Sequence, residues 1–578
     1  MFQNLSLSWF FLAITATFSA HAQLLCIRDV ESKGIDQAKI VLIPKSGKVK
    51  VLYSGENGCT SVDTIGLDRI IIRDAWGNQR ILQMPQTFPI VLTMGKATKT
   101  YDEVTVTANY RQDLPEECIL PIQTIDSKQI EAMGAQNVSE VLRQALNFKM
   151  DSDPILGASL SLQGLGGEKV KIMIDGVPVV GRLNGQVDLS QLLTSEIDRI
   201  EIVEGPLSVD YGTDALAGTI NIITKSGRRN GVNLGTHYES SGVYNMYANA
   251  TLSRKRSLVS FGGARNFFDG YRTSDQPFHI EKASFADASR YQDAKPKEAL
   301  DFFWLGKTFL NKEKMKLSFR QNLYNDVVYN LGLPSVPYGM EAFDQEFKTS
   351  RLDQSLSIQN TSYSNKKYSA LFAYNHFKRT ANTWFNDLTD LQKTLTEQST
   401  QQDTTLFDSA MSRFNWSFGT DSSDIFITVG YDGYYHYMRS QRIVNDFQNN
   451  FNMALFTVVE SKLTKNLDTR IGLRTAYNSI YNASFVPSGA FRYNLPRGHK
   501  TTFGGGSGFR APDLKELYLD FVDVNHNIKG NPSLTPEQSI NVFLMHEKKW
   551  VKKKWAYQMK TRVSYNNIRA GISLIQSD

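Results

Sequence analysis

Cysteine and proline are scarce in this chain, and no second long apolar run follows the one near its start. Only 3 of 578 residues are Cys and 17 are Pro. Three cysteines are too few for a disulfide-dense secreted scaffold, and the absence of a Cys-x-x-Cys pair argues against a zinc site. After residue 23 no apolar stretch approaches the ~20 residues of a membrane helix, which excludes a helical membrane protein. A net charge of +6 is too weak to indicate nucleic-acid binding.

Aromatic residues and glycine are abundant instead. The chain contains 33 Phe, 25 Tyr and 40 Gly, and aromatic residues make up 11% of it. Aromatic residues favour strands, and glycine favours the tight turns between them. This composition predicts many β-strands that are apolar on one face and polar on the other.

The N-terminus has the pattern of a secretory signal. An apolar stretch from Trp9 to Phe18 leads into Ala20-His21-Ala22, a small-x-small cleavage site. Residues 1–22 are therefore predicted to be a signal peptide. The alternative is an N-terminal membrane anchor, for which the stretch is short. After export, Cys26 and Cys59 could form a disulfide within one small domain, and Cys118 would then not be part of a disulfide pair.

Two regions with different patterns precede the middle of the chain. Residues 23–97 contain short β-branched runs separated by turn signals, which predicts a small β unit. Residues 113–230 combine capping-box patterns, at Asp126 with Gln129 and at Asn137 with Glu140, with three short apolar strands. This second pattern predicts a compact α+β domain.

From residue 231 onward, long segments alternate between apolar and polar residues. In the clearest segment Tyr557, Met559 and Val563 alternate with Lys560 and Arg562. Alternation over about ten residues, with charge on the polar face, is typical of strands that face lipid outward and water inward. The alternative is a large soluble β-sandwich, which alternates in shorter strands.

Several motifs carry a family resemblance. In order they are the extended segment Asp102, Glu103, Val104, Thr105, Val106, Thr107 and Ala108; Ser161–Gly166 with Gly164; Asp175-Gly176 after the strand Val170–Ile174; Arg199, Glu201, Glu204 and Gly205 in the run 197–206; Tyr211-Gly212; and Gly218. This series resembles the TonB-dependent outer-membrane receptors. The segment 508–518 followed by Gly530–Leu534 resembles the barrel signature of the same family.

The resemblance implies a fold and a domain order. The fold is mainly β: a transmembrane antiparallel β-barrel with an N-terminal α+β plug domain and a small β-sandwich extension. Residues 98–112 become the TonB box and linker, 113–230 the plug and 231–578 the barrel. Residues 23–97 resemble the carboxypeptidase-regulatory-like β-sandwich found ahead of the TonB box in Bacteroidetes receptors.

The resemblance also implies a function without covalent chemistry. A receptor of this family lies in the outer membrane of a Gram-negative bacterium, where it contacts lipid and imports a scarce ligand. Asp102 to Ala108 would pair as an added strand with TonB of the TonB-ExbB-ExbD complex. A surface lipoprotein is a further candidate partner. Enzyme activity, a bound cofactor, a metal site and nucleic acid are not expected. A passive porin and a signalling receptor remain the alternatives.

The residues expected to touch the ligand are His526, Arg510 and Tyr518. His526 lies between two motifs that also resemble the boxes of haem receptors, and imidazole is a common haem ligand. The haem-receptor pattern would also need a plug histidine, but no histidine lies between His21 and His237. Haem, a ferric siderophore and cobalamin all remain open as ligands.

The length predicts an unusual barrel. From Gly231 to Asp578 there are 348 residues. At about ten residues per strand plus loops, this supplies ~14 to 17 strands, against about 22 in family barrels. Because an unclosed barrel would leave two bare strand edges in lipid, we expect a receptor that is truncated at the C-terminus.

Overall fold

The computed structural model forms two compact units. It describes residues 22–28, 34–35, 38–45, 49–73, 79–84, 89–94, 118–120, 122–145, 147–182, 185–205, 208–225, 230–254, 256–273, 290–310, 314–335, 338–360, 366–397, 401–419, 423–481, 485–522, 527–552 and 555–573. Residues 1–21 of the predicted signal peptide, the TonB-box segment Asp102–Ala108 and His526 lie outside these ranges.

The first unit contains a small two-sheet sandwich. One sheet has the strand order β4-β1-β7 and the other has the order β3-β2-β5-β6. The strands are β1 (Ala22–Arg28), β2 (Lys39–Pro44), β3 (Lys50–Tyr53), β4 (Cys59–Asp63), β5 (Leu67–Arg73), β6 (Gln79–Gln83) and β7 (Ile90–Thr93). Leu25, Ile27, Ile40, Ile70 and Ile72 form a common buried core between the sheets. A disulfide joins Cys26 to Cys59 across the paired strands β1 and β4.

The second unit begins with an α+β domain, here called the plug. Its central sheet has the order β13-β12-β15-β14-β8, and a second sheet has the order β11-β10-β9. The strands are β8 (Ile122–Asp126), β9 (Phe148–Asp153), β10 (Gly157–Leu162), β11 (Leu165–Gly166), β12 (Val170–Ile174), β13 (Val177–Pro178), β14 (Ile197–Glu204) and β15 (Gly218–Thr224). The apolar faces of these strands and of the first two helices form one buried cluster.

The plug helices are short, and local hydrogen bonds define their ends. They are α1 (Ser127–Met133), α2 (Val138–Arg143) and α3 (Ser208–Tyr211). Asp126 caps α1 in a complete capping box with Gln129, as the sequence predicted, and the left-handed Gly134 ends the helix. Among the described residues no helix is both long enough and apolar enough to cross a membrane.

The rest of the second unit is one large antiparallel meander, here called the barrel sheet. Each strand on its path pairs with the next. The strands are β16 (Gly231–Glu239), β17 (Val243–Arg254), β18 (Ser257–Phe268), β19 (Lys297–Leu310), β20 (Met315–Asn330), β21 (Glu341–Asn360), β22 (Lys366–Asp387), the short β23 (Lys393–Leu395), which pairs only with β22, β24 (Gln402–Phe418), β25 (Ile425–Ser440), β26 (Phe447–Lys462), β27 (Leu467–Asn478), β28 (Phe485–Leu495), β29 (His499–Arg510), β32 (Glu537–Lys552) and β33 (Trp555–Arg569). The helix α4 (Leu514–Tyr518) and the two-stranded ribbon β30 (Asp520–Val522) and β31 (Asn527–Lys529) lie between β29 and β32.

Side chains alternate between the two faces of the barrel sheet as predicted. On β32 the outward Leu544 is 51% exposed, whereas its neighbours Phe543 and Met545 are 4% and 5% exposed. Met559 and Val563 on β33 are likewise exposed. The face that carries the buried side chains faces the plug and is called the inner face below. A half-polar alternating sheet of this length matches the mainly β fold expected from the sequence.

The two ends of the barrel sheet differ in their connections. Short turns join the strands at one end, for example between Lys552 and Trp555, which pair directly. The loops at the other end are longer, such as 269–296 and 511–536. We call these the turn end and the loop end. The sheet has 16 strands, and among the described residues β16 and β33 are not paired with each other. C-terminal truncation remains a prediction.

The disulfide generates a prediction about the sandwich. Cys26 and Cys59 are separated by 33 residues, so their bond removes chain entropy from the unfolded state worth about 3–4 kcal/mol. Replacing both cysteines by Ala should lower the hydrogen-exchange protection of β2 and β5 at least ~100-fold, because each ~1.4 kcal/mol corresponds to a factor of ten. Mass spectrometry of peptides from β9 and β10 in the same sample provides the control. Equal protection of the sandwich in both proteins would contradict the expectation.

Candidate functional site

The contact between the plug and the inner face is largely ionic. Asp210 on α3 pairs with Arg470 on β27, and Arg470 also bonds to Glu460 at 3.1 Å. Nearby, Arg474 donates to the carbonyl of Val209 at 3.3 Å and pairs with Asp432 on β25 at 2.7 Å. These arginines therefore fasten the α3 segment to three neighbouring strands.

The same pairing recurs around the plug. Glu196 pairs with Arg320 on β20 at 3.1 Å, Glu204 pairs with Arg562 on β33 at 2.8 Å, and Asp188 lies 3.8 Å from Lys297 on β19. In each pair the plug supplies the carboxylate and the barrel sheet supplies the cation. Breaking a buried pair by removing one partner costs about 3–5 kcal/mol, because the other charge stays buried. The plug is thus held by several independent anchors.

Burial shifts the titration of two plug groups. The Lys171 amine donates to the carbonyls of Tyr211 at 2.5 Å and Thr213 at 3.2 Å, and it lies 5.4 Å from the ring centre of Tyr434. Burial lowers the pKa of Lys171 to about 7. Burial also raises the pKa of Glu196, although Arg320 opposes this shift. Both groups lie where the plug contacts the inner face of the barrel sheet.

The predicted plug-motif residues occupy turns and close contacts. Asp175 and Gly176 form the two-residue turn between β12 and β13, with φ of 49° and 84°. The Asp175 carboxylate accepts hydrogen bonds from the amide and hydroxyl of Thr224 at 3.0 and 2.6 Å. A Cβ at Gly218 would lie 2.5 Å from the carbonyl oxygen of Val203. These residues shape the plug.

The charged motif residues divide into two groups. Glu204 contacts the inner face through its ion pair with Arg562 on β33. Glu201 is fully buried and accepts from Arg199 at 2.9 Å, and Arg199 also pairs with Asp198. Glu201 lies in the middle of β14, an inner strand of the central sheet, whereas Glu204 lies at its end. The remaining motif glycines, Gly164, Gly205 and Gly212, all have positive φ, and Tyr211 is buried.

Arg510, predicted to touch the ligand, is fully buried at the base of the loop 511–536. Its Nε donates to Glu537 at 2.7 Å, and its Nη1 bonds both oxygens of Glu516 at 3.0 and 3.1 Å. Asp513 caps α4 in a capping box with Glu516. In this arrangement Arg510 orients the loop, and its guanidinium is turned away from solvent.

The loop containing α4 packs against the loop 441–446, and together we call them the lid. The amide of Val444 donates to the carbonyl of Tyr518 at 3.0 Å, and the amide of Asp520 donates to that of Arg442 at 2.9 Å. Met438, Ile443 and Leu514 are buried beneath, with Tyr518 packed beside them. Tyr518 is therefore half-buried within the lid. His526, predicted to touch the ligand, lies outside the described residues.

Between the plug and the lid, the inner face presents a group of rings that the sequence reasoning missed. His436 on β25 lies 5.6 Å from Phe407 and 6.0 Å from Tyr434 by ring centres. Its Nδ1 atom is buried and has no hydrogen-bond partner among the described residues. Plug residues Arg182 and Asp214, paired at 3.0 Å, interact electrostatically with His436. The aromatic run 434–437 was the available signal, but only the register shows which rings face inward.

Aromatic and charged side chains thus lie side by side on the inner face at the loop end. The inner face at the loop end offers rings, an imidazole and an ion pair under a packed lid, which are groups that hold a bulky ligand. Within the described ranges no three His, Cys, Asp or Glu side chains come together as a metal centre. An α+β domain fastened inside a long meandering sheet defines the class of plugged barrels.

Comparison with known proteins agrees with that class. Residues 116–219 match the TonB-dependent Receptor Plug Domain. The chain is 23% identical over 452 residues to the Vitamin B12 transporter BtuB of Photobacterium profundum, covering 76% of this chain and 66% of that protein. It is 30% identical over 140 residues to the protein of the same name from Vibrio cholerae serotype O1, covering 24% and 23%. The chain thus spans less than two thirds of the length of these relatives.

Solved structures share the fold at lower identity. A mutant of the ferric enterobactin receptor PfeA of Pseudomonas aeruginosa superposes with a TM-score of 0.60 at 15% identity, covering 79% of this chain and 72% of that one. The siderophore receptor PirA of Acinetobacter baumannii gives 0.58 at 13% identity, covering 79% and 76%. Residues 116–219 are thus similar to the plug of TonB-dependent receptors, the longer matches are to vitamin B12 transporters, and the fold is shared with siderophore receptors.

The Asp210–Arg470 anchor generates a prediction. Replacing Asp210 by Ala removes a carboxylate that pairs with the buried Arg470, which should destabilise the α3 segment by about 3 kcal/mol. Hydrogen exchange of the 208–212 peptide should therefore accelerate at least ~100-fold. The control is Asp151→Ala, which removes an exposed pair with Lys149 at 3.1 Å and should cost under ~0.5 kcal/mol. Equal acceleration of exchange by the two substitutions would contradict a stabilising role for the Asp210–Arg470 pair.

Proposed function

We propose that this protein imports a scarce ligand across the outer membrane by a TonB-dependent mechanism. The ligand is an iron complex, such as a ferric siderophore or haem, or it is cobalamin. The names of the relatives support this range, since they include vitamin B12 transporters and siderophore receptors. The single observation that carries the proposal is the plug, which blocks the inside of the barrel sheet and is held there by ion pairs.

The proposed contact surface for the ligand is the group of side chains between the plug and the lid. His436, Phe407 and Tyr434 supply apolar rings and a nitrogen ligand, while Arg182 and Asp214 supply charge from the plug. A ligand that contacts both the rings of the inner face and the Arg182–Asp214 pair of the plug would act on the plug directly. This placement keeps the lid as the outward surface and the turn end as the periplasmic one.

The ionic plug contact fits a domain that must move during import. Ion pairs and polar contacts can be exchanged for contacts with water at modest net cost, because hydrated charges recover much of the lost energy. An apolar contact of equal area would resist separation with about 25 cal/mol per Å². The pairs at Glu196, Glu204 and Asp210 therefore fix the resting position and still permit release.

TonB is the proposed source of the force. The segment Asp102–Ala108 precedes the plug and has the extended Val-Thr-Val character of a strand that can join another sheet edge. The TonB-ExbB-ExbD complex would pull on this segment from the inner membrane. A surface lipoprotein that delivers the ligand is a further proposed partner. The sandwich ahead of the segment is proposed to be the carboxypeptidase-regulatory-like domain of a Bacteroidetes-type receptor.

Strand addition at this segment can be tested with proline. Val106→Pro removes a main-chain donor from the segment and should reduce energy-dependent uptake at least ~10-fold, with ligand binding to whole cells unchanged. Ala97→Pro, upstream of the segment, is the matched control and should leave uptake intact. Radiolabelled cobalamin and ferric siderophores serve as ligands in separate assays. Uptake by the Val106→Pro cells at the wild-type rate would reject the pairing.

The ligand is identified by titration of the purified chain with haem, cobalamin and ferric siderophores. One of them should bind, and His436→Ala should weaken that binding at least ~10-fold because it removes an inward imidazole. His526→Ala tests the residue that the sequence favours. Haem binding that survives His526→Ala untouched rejects His526 as the iron ligand. His376→Ala, a histidine paired with Asp408 at 2.8 Å, serves as the control.

A further inference from the structure

Four donor side chains share one patch of the inner face, separate from the lid. Lys307 on β19 is directly opposite Ser318 on β20, and Lys316 and Arg320 flank Ser318 two residues away on each side. Residues two apart on a strand point to the same face. Leu305 and Phe309, which alternate with the exposed Phe302 and Trp304, show that odd-numbered residues of β19 face inward. We call these four residues the cationic cluster.

The cluster has hydrogen-bonding capacity that no described residue fills. Ser318 Oγ and Arg320 Nε are buried and have no hydrogen-bond partner within the described ranges. No hydrogen bond or ion pair joins Lys307 or Lys316 to any other described residue. Arg320 uses only its Nη2 atom, on Glu196 at 3.1 Å. A buried polar atom without a hydrogen-bond partner is costly, which applies to Ser318 Oγ and Arg320 Nε, while Lys307 and Lys316 beside them are half-buried.

The plug carboxylates that face the cluster are already engaged. Asp175 and Asp198 interact electrostatically with Lys307, and Asp175 also does so with Lys316 and Arg320. Asp175 accepts two hydrogen bonds from Thr224, and Asp198 pairs with Arg199 at 2.8 Å. The field of these acids reduces the repulsion among the three cations. These acids do not, however, accept a hydrogen bond from the amines of the two lysines, from Ser318 Oγ or from Arg320 Nε.

We propose that the cationic cluster binds an oxyanion, a carboxylate or phosphate group, in the seam between the plug and β19–β20. Two ammonium groups, a hydroxyl and a guanidinium Nε–H are donors that together match the several lone pairs of such a group. Ionisable side chains on the inside of a membrane protein often mark the path of a charged ligand. The occupant is free inorganic phosphate or the anionic part of an imported ligand. The site lies apart from the lid and does not depend on which ligand is imported.

Thermal unfolding of the purified full chain in detergent tests the site, with inorganic phosphate as the probe. Phosphate should raise the Tm in a saturable way beyond sodium chloride at equal ionic strength, because it binds the folded state. Lys307→Gln with Lys316→Gln should raise the half-saturating phosphate concentration at least ~10-fold, and Ser318→Ala about 2- to 10-fold. No stabilisation beyond chloride, or an unchanged half-saturating concentration in the double variant, overturns the proposal.

The control removes the same charge elsewhere. Lys462 and Lys465 are exposed at the turn end, and replacing both by Gln should leave the phosphate response as in wild type. An equal loss of response in this control would mean that net charge alone is responsible, and would overturn the site. Should the Gln pair fail to fold, Lys307→Arg with Lys316→Arg keeps both charges and should retain phosphate affinity within ~3-fold. Loss of phosphate binding in that folded Arg variant also counts against a site built on charge.

A second measurement separates the two sources of the oxyanion. If the imported ligand supplies it, cells with Lys307→Gln and Lys316→Gln should bind ligand normally and import it at least ~10-fold more slowly. If free phosphate is the occupant, uptake should equal that of the Lys462/Lys465 control. Either result supports the site once phosphate binding is established. Absence of ligand uptake in wild-type cells would count against the proposed import function and leave the phosphate measurement unaffected.

Discussion

Charge complementarity between the plug and the inner face holds the second unit in one arrangement. The plug brings Asp188, Glu196, Glu204 and Asp210, and the barrel sheet meets them with Lys297, Arg320, Arg562 and Arg470. The cations lie on β19, β20, β27 and β33, so one small domain joins strands that are far apart in the chain. Within the barrel sheet itself, strand pairing joins each strand only to its immediate neighbours. The plug supplies the contacts across the sheet that the meander itself does not make.

This constraint explains the unusual composition of the strands. An inner face packed by apolar side chains alone would hold the plug more tightly, and arginine is costly on a face exposed to lipid. The chain therefore alternates exposed outward residues such as Val563 with charged inward residues such as Arg562. The same requirement accounts for Asp432, which is fully buried yet held between Arg413 and Arg474. Lys307 and Lys316 have no such paired carboxylate among the described residues, and the proposed oxyanion would supply the opposite charge.

Features fixed by neighbouring residues could be predicted from the sequence. The cap at Asp126, the Asp175-Gly176 turn and the alternation along β33 depend on spacing alone, and the structure contains them. Contacts between distant residues could not be predicted. Glu204 and Arg562 are 358 positions apart, and their pairing depends on the register of every intervening strand. His436 shows the same limit, since strand residues 434 to 437 are all aromatic and only the sheet decides which rings face the plug.

Arg510 shows how a motif residue can be recognised before its role is understood. Its position within a family signature suggested contact with a ligand, yet its guanidinium bonds Glu516 of the lid and Glu537 of β32. Glu537 is itself fully buried, lies 3.7 Å from Lys169 of the plug and accepts the amide of Ile572 at 2.7 Å. One carboxylate thus contacts the base of the lid, the plug and the segment after β33. The Glu537 carboxylate contacts Arg510, Lys169 and the amide of Ile572 together. A shift of the lid that moves Arg510 away would therefore change the electrostatic environment of Lys169. Because Arg510 bonds to the lid and to β32 and is turned away from solvent, its motif is tied to the architecture and says little about a ligand.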